Sequence, residues 1–278
     1  MSFWKKVFGL CDNDNKQKGN SRFENYSSGL NEKDLKTSED LKELVNPLIK
    51  NATKIEVQEP SRPPKKSQLN SHFGGQPYFE EGEDWPKSQS GRNMEFIFQI
   101  FNEEGLELPK EIKLLQFFYD WEEFPWETEN DGWLVKIYEE LIINKIKKFK
   151  KPSEQEIAKY CEIKFIPIKS QPDWEGLDLY NNTAAKLACT INENKPWDSY
   201  GKIVEMLIGE EDYKSQLGGY PKWVQGESTP KNIKGDEMKL LFQLDSEDNA
   251  GLMWGDVGLI YLFYDVETKK IEFTLQCH

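Results

Sequence analysis

An internal repeat limits the folds open to this chain more than any other feature of its sequence. Residues 71–99 and 215–243 align without a gap, and 12 of the 29 aligned positions are identical, against roughly two for unrelated sequences of average composition. The identical pairs are Ser71/Ser215, Gly74/Gly218, Gly75/Gly219, Pro77/Pro221, Gly82/Gly226, Glu83/Glu227, Pro86/Pro230, Lys87/Lys231, Gly91/Gly235, Met94/Met238, Phe98/Phe242 and Gln99/Gln243. A second set of matches has a separation one residue larger than the first: Leu114/Leu259, Phe118/Phe263, Tyr119/Tyr264 and Asp120/Asp265.

Each copy contains a Gly-Gly-x-Pro segment, a strand that ends in Phe-Gln and a second strand that ends in Phe-Tyr-Asp. Such a half-sheet cannot bury its own faces and edges, whereas two copies together can. We therefore expect an α+β fold with an internal duplication, mainly antiparallel sheets, peripheral helices and approximate two-fold symmetry between the halves. The repeats would span about 68–120 and 214–265, joined by 121–213, in a single domain over 67–278.

The first 66 residues differ from the rest of the chain in charge and composition. They carry 13 Lys/Arg against 10 Asp/Glu, whereas residues 67–278 carry 23 against 39. We expect 1–66 to be a polar leader with short helices, one of which begins after Thr37 or Ser38, and a Pro/Lys-rich linker before Ser67. Met1–Cys11 has an apolar helical face with two lysines, which leaves open a weak membrane-surface helix, although we favour a docked or mobile end.

Composition excludes several classes of function. The net charge of −13 argues against nucleic-acid binding, because phosphates repel an acidic surface. No apolar run approaches the roughly 20 residues of a transmembrane segment. With only two histidines, the chain has few nitrogen ligands for a transition metal such as zinc, and the absence of Walker and Rossmann glycine patterns gives no expectation of a cofactor. The four cysteines form no CxxC pair or cluster, which favours reduced thiols and a cytoplasmic protein.

The motifs of the repeats also resemble those of a known family. The runs that carry the resemblance are SHFGGQPYFEEGEDWP, FIFQI, LLQFFYD, SQLGGYPKWVQGE, LLFQLDSEDN, MWGDVGLIYLFYD and FTLQC. Together they resemble the YwqG-like family, a bacterial domain of unknown function, over about residues 68–278. The resemblance implies a duplicated α+β fold in soluble bacterial proteins and no established activity. A loose association of such proteins with toxin–immunity neighbourhoods suggests an immunity-like role.

The segment DWEEFPWETENDGW, Asp120–Trp133, combines aromatic and acidic side chains. Trp121, Glu122, Glu123 and Trp126 would bind either a basic protein, through ion pairs and cation–π contacts, or a sugar stacked on indole. The alternative is an acidic loop whose tryptophans cover the core, and we hold the two interpretations about even.

The polar residues of the repeat suggest a second site. Gln99, Gln243, Asp120 and Asp265 occupy matching strand positions and would line a cleft between the two copies. A buried glutamine that is satisfied within the sheet, and an aspartate in a turn, are the simpler interpretation.

A third candidate is a cation loop over residues 245–256. Its oxygen ligands would be Asp245, Glu247, Asn249 and Asp256, although the glycine is one place late for an EF-hand and strands flank the loop. We favour an acidic loop between strands.

Our leading functional hypothesis is a non-enzymatic protein-binding module, immunity-like, that neutralises a basic partner through its acidic aromatic surface. The alternative is a protein that binds a small molecule or glycan in the cleft between the repeats, with hydrolysis by paired carboxylates. On balance the sequence favours no enzymatic activity.

Overall fold

The computed structural model of the chain describes residues 36–149, 157–211 and 214–278. The described residues fall into two compact units, a helical unit and a sheet unit. The helical unit comprises residues 36–51, 169–211 and 219–228, and the sheet unit comprises the remainder. The Met1–Cys11 segment, for which we predict a short helix or a mobile end, lies outside the described residues.

The helical unit contains three α-helices, α1 (Ser38–Val45), α2 (Leu177–Ile191) and α3 (Pro196–Ile208). Helix α1 begins where the sequence predicts, because the Thr37 side chain accepts a hydrogen bond from the Asp40 backbone and the Asp40 carboxylate accepts one from the Thr37 backbone. The apolar faces of the three helices share one core, formed by Leu41, Val45, Trp174, Leu177, Ala184, Ala185, Leu187, Ala188, Cys189, Tyr200, Ile203 and Val204.

The sheet unit is built on ten strands. They are β1 (Lys50–Val57), β2 (His72–Phe73), β3 (Glu95–Phe101), β4 (Leu114–Tyr119), β5 (Trp133–Tyr138), β6 (Cys161–Ser170), β7 (Gln216–Gly218), β8 (Lys239–Asp245), β9 (Leu259–Tyr264) and β10 (Ile271–Gln276). Their order in the sheet is β10-β9-β8-β7-β1-β6-β2-β3-β4-β5. Within the groups β10 to β1 and β6 to β5, neighbouring strands pair antiparallel.

The predicted fold class, a duplicated α+β fold with approximate two-fold symmetry and peripheral helices, is wrong. The described chain is mostly sheet, and its strands form one continuous ten-stranded sheet with only three α-helices. The physical reason lies in β1 and β6, which come from segments outside the repeat motifs. They pair in the middle of the sheet, between β7 and β2, so the strand groups join edge to edge rather than form separate sheets.

Local features nevertheless follow the repeated motifs. The β3–β4 pair has a register shift between Phe96 and Phe98, and the β8–β9 pair has one between Leu240 and Phe242. In the first Gly-Gly-x-Pro segment, Gly74 has a φ of 55°, in the left-handed region that favours glycine. A Cβ at this position would lie 2.2 Å from the Ala158 carbonyl oxygen, so only glycine fits there.

Strands β4 and β9 are buried along their whole length, which is why both read as nearly continuous apolar runs. The main core between the strands is strongly aromatic. Its largest fully buried members include Trp254, Tyr119, Phe73, Phe98, Phe117 and Phe242. Among the residues that the structure describes, no helix has the length and apolar character needed to cross a membrane.

Candidate functional site

The two repeated glutamines each hold the chain segment that leads into the first strand of their repeat. Gln99 accepts a hydrogen bond from the Tyr78 backbone at 2.8 Å and donates to the carbonyls of Gln68 and Asn70 at 3.0 and 2.8 Å. Gln243 donates to the Lys214 carbonyl. Both side chains are fully buried, so these bonds satisfy amides that would otherwise cost free energy inside the sheet.

The repeated aspartates lie in turns that follow a strand. Asp120 accepts hydrogen bonds from the backbones of Glu122 and Glu123, and Arg92 donates to it at 3.1 Å. Burial raises the pKa of Asp120, but these hydrogen bonds outweigh it and leave the pKa below its usual range. At Asp265, the hydrogen bond from the Thr268 hydroxyl is the main cause of a lowered pKa. Both carboxylates are therefore ionised, and both accept hydrogen bonds from residues of their own turns.

The acidic aromatic loop Asp120–Trp133 is fixed to strand β10. The Leu275 backbone donates to the Trp126 carbonyl at 2.8 Å, and the Phe273 backbone donates to the Thr128 hydroxyl at 2.7 Å. The Trp133 ring stacks on Phe273 with 5.3 Å between centroids. These contacts give the loop a defined position rather than a freely moving one.

The three tryptophans of this loop differ in what they cover. The Trp121 ring stacks on the buried Trp254 at 4.8 Å, so Trp121 and Trp133 pack against the core. Trp126, in contrast, is 42% exposed. Of the two interpretations that the sequence leaves even, the core-covering one describes Trp121 and Trp133, and the exposed aromatic anchor describes Trp126.

Two further apolar side chains are exposed in the loop beside Trp126. Met253 and Val257 are each 48% exposed and lie on either side of Gly255. A Cβ on Gly255 would lie 3.4 Å from the Trp126 ring, so this loop and Trp126 adjoin. We refer to Trp126, Met253 and Val257 as the Trp126 surface. Sequence reasoning missed Met253 and Val257, because nothing in a Met-Trp-Gly-Asp-Val run shows that Trp254 points inward and its neighbours outward.

The two loops that form the Trp126 surface also carry carboxylates. Glu122, Glu127 and Asp256 are exposed, and they come from the same two loops as the apolar side chains. Arg92 is ion-paired with Asp120 at 3.1 Å, with Glu122 at 3.6 Å and with Glu123. One guanidinium against three carboxylates leaves this group of side chains with a net negative charge.

The backbone is strained at two points in these loops. Phe124 has a φ of 47° and Val257 a φ of 49°, in the left-handed region that side chains with a Cβ avoid. The cost is largest for a β-branched residue such as Val257. Strained residues of this kind collect at binding sites, where the surrounding structure holds them in place.

Two of the four predicted cation ligands, Glu247 and Asn249, form hydrogen bonds within the protein. Ser215 donates to the Glu247 carboxylate, and the Asn249 side chain donates to the Val57 carbonyl at 3.0 Å. Burial raises the pKa of Glu247 to about 7 and also raises that of Asp245. No group of three His, Cys, Asp or Glu side chains that could hold a metal ion occurs within 36–149, 157–211 and 214–278.

Two of the cysteines, Cys161 and Cys277, are free thiols. Burial raises the pKa of Cys161 to about 11, which makes this thiol a poor nucleophile.

A comparison with protein-family models places most of the sequence in one family. Residues 71–272 match the model described as domain of unknown function (DUF1963). The match covers both repeated segments, the loop that carries Trp126 and the loop that carries Met253. No curated protein matches the chain.

Proposed function

The chain belongs to the family described as domain of unknown function DUF1963, and we propose that it is a non-enzymatic module that binds a basic protein through the Trp126 surface. The exposure of Trp126 beside Met253 and Val257, on two loops that also carry exposed carboxylates, carries this proposal. In finer detail, we propose a YwqG-like bacterial protein of the cytoplasm that acts in an immunity-like way, by neutralising a basic toxin.

The composition of the surface suits a cationic partner. A tryptophan face attracts an Arg or Lys side chain by roughly 0.5–2 kcal/mol, depending on how far the pair is desolvated. Partly exposed Trp and Met side chains supply apolar area at the centre, where most binding energy is concentrated. The defined position of the loop on β10 means that little conformational entropy is lost on binding.

The carboxylates on the two loops act mainly on the rate of encounter. A chain with net charge −13 attracts a basic protein over distances of about a Debye length, which is ~8–10 Å at physiological salt. Association should therefore slow as salt is added. The apolar centre, which salt does not screen, should determine how long the complex lasts.

Affinity capture with the full-length chain tests the proposal. Wild type, Trp126→Ala and the control Ile233→Ala, which removes a side chain that is 91% exposed, would be compared at low and high salt. We expect a basic protein to be retained by wild type and Ile233→Ala at low salt, and to be lost with Trp126→Ala. Retention that is the same at low and high salt and the same for wild type and Trp126→Ala would contradict the proposal. The capture of no basic protein would contradict it as well.

A further inference from the structure

A cleft of about 320 Å³ lies on the sheet unit and shares no lining residue with the Trp126 surface. It is formed by the Pro/Lys-rich stretch before β2, by Gln76 just after β2 and by the Lys-rich stretch after β5. Its lining consists of Pro63, Pro64, Lys65, Ser67, Gln68, Gln76, Lys148 and Phe149. Prolines and a phenylalanine give the cleft apolar walls, and the other side chains are polar or cationic.

The charge of this cleft is opposite to that of the whole chain. Among the residues that the structure describes, no Asp or Glu lines it, although the chain carries 49 acidic residues. Lys65 and Lys148 are exposed at the cleft, and neither forms an ion pair with any residue in the described part of the chain. Many other lysines, such as Lys136 and Lys222, are paired with glutamates. Two ammonium groups at one acid-free cleft form a site for negative charge.

Two unpaired hydrogen-bond acceptors are buried in Gln76, which lines the cleft, and in the nearby His72. The Gln76 side-chain oxygen is buried without a partner. The His72 ring interacts with the backbones of Ser67 and Gln76, and its Nδ1 bonds to the Gly74 carbonyl at 2.8 Å. Burial lowers the pKa of His72 to about 4, so the ring is neutral and its buried, unpartnered Nε2 is an acceptor. Buried acceptors of this kind cost free energy until a donor reaches them.

We propose that this cleft binds a small molecule that carries a phosphate monoester and hydroxyl groups, of which a sugar phosphate is the simplest class. The dianionic phosphate would lie between Lys65 and Lys148 and neutralise both ammonium groups. The Gln76 side chain, which lines the cleft, would turn its oxygen outward to accept a hydrogen bond from a hydroxyl of the same molecule. The apolar part would pack on Phe149. The proposal concerns a different surface from the Trp126 surface and does not depend on it.

Titration of the full-length protein by NMR tests this inference. The probes are inorganic phosphate, glucose 6-phosphate and unphosphorylated glucose, and the reporter is the side-chain amide of Gln76, assigned with a Gln76→Leu variant. We expect saturable shifts of this amide with both phosphate probes and none with glucose. Glucose 6-phosphate should bind more tightly than inorganic phosphate, because its hydroxyls reach the unpaired acceptor.

Charge variants locate the binding site. Lys65→Gln and Lys148→Gln should each weaken inorganic phosphate binding by up to about fivefold, the effect of one exposed ion pair. Lys113→Gln, which removes an exposed lysine outside the cleft, should change it little. Thermal melting would confirm that all three variants fold. The absence of saturable binding by either phosphate probe, or equal weakening in Lys113→Gln, would overturn the proposal.

Discussion

Glu247 provides a test of the buried electrostatics, because its carboxyl group is largely buried in the sheet unit and accepts a hydrogen bond from the Ser215 hydroxyl. Burial is the main cause of its raised pKa, the nearby Asp245 and Asp248 raise it further, and the hydrogen bond from Ser215 opposes them. The folded state therefore holds the Glu247 proton more tightly than the unfolded chain does. Between the two pKa values, the folded state loses stability as the pH rises.

The size of the effect follows from the two pKa values. Raising the pKa from its ordinary value of 4.5 to about 7 corresponds to about 3 kcal/mol, at ~1.4 kcal/mol for each pH unit between them. Glu247→Gln keeps an acceptor for the Ser215 hydroxyl but cannot ionise. We expect the variant to match wild type near pH 4, and to be more stable by up to about 3 kcal/mol above pH 7.

Urea unfolding of both proteins across this pH range measures the difference directly, because all other titrating groups are common to them. Glu104→Gln, which neutralises an exposed glutamate, serves as the control and should show no comparable trend. A stability difference between Glu247→Gln and wild type that stays constant with pH would show that the folded state does not raise the pKa of Glu247. A wild type that gains stability relative to the variant as the pH rises would contradict the raised pKa as well.

Three further substitutions have defined expectations. Gly74→Ala should lower the free energy of unfolding by roughly 2–4 kcal/mol in denaturant unfolding, because the new Cβ would meet the Ala158 carbonyl. Its control, Gly82→Ala, has open space around the new Cβ and should lower the free energy of unfolding by about 1 kcal/mol. Val257→Gly should raise the unfolding free energy by about 1 kcal/mol, because it relieves a positive φ at an exposed β-branched residue; a loss of stability would contradict the strain argument. Arg92→Gln should lower the melting temperature, because it leaves the buried Asp120 without its cation; an unchanged melting temperature would contradict this expectation. The same variant should associate faster with a basic partner in stopped-flow measurements, because it removes a positive charge.

Sequence reasoning predicted local structure better than fold class. The left-handed glycines at Gly74 and Gly218, the helix cap at Thr37 and the aromatic strands follow from short-range stereochemistry and side-chain periodicity. The continuous sheet does not, because it depends on where β1 and β6 pair, and pairing between distant segments leaves no periodic signal. The extents of the leader, 1–66, and of the repeats, 68–120 and 214–265, stay predictions.

The candidate sites show the same division between local and long-range information. The composition of Asp120–Trp133 indicated an aromatic and acidic surface, but which tryptophan is exposed depends on Trp254 and Phe273, which belong to other elements. The cleft beside Gln76 could not be predicted, because Lys65 and Lys148 meet only in the folded chain. The buried state of Glu247 likewise depends on Ser215, at the start of a distant segment.

Oxidative footprinting of the chain, free and in complex with its captured basic partner, tests most directly whether the Trp126 surface is the binding site. Met253 and Met206 are both exposed in the free protein, 48% and 66%, and only Met253 belongs to that surface. Our account predicts that complex formation slows oxidation of Met253 and Trp126 and leaves Met206 unchanged. Equal oxidation of Met253 in the free and bound protein would contradict it.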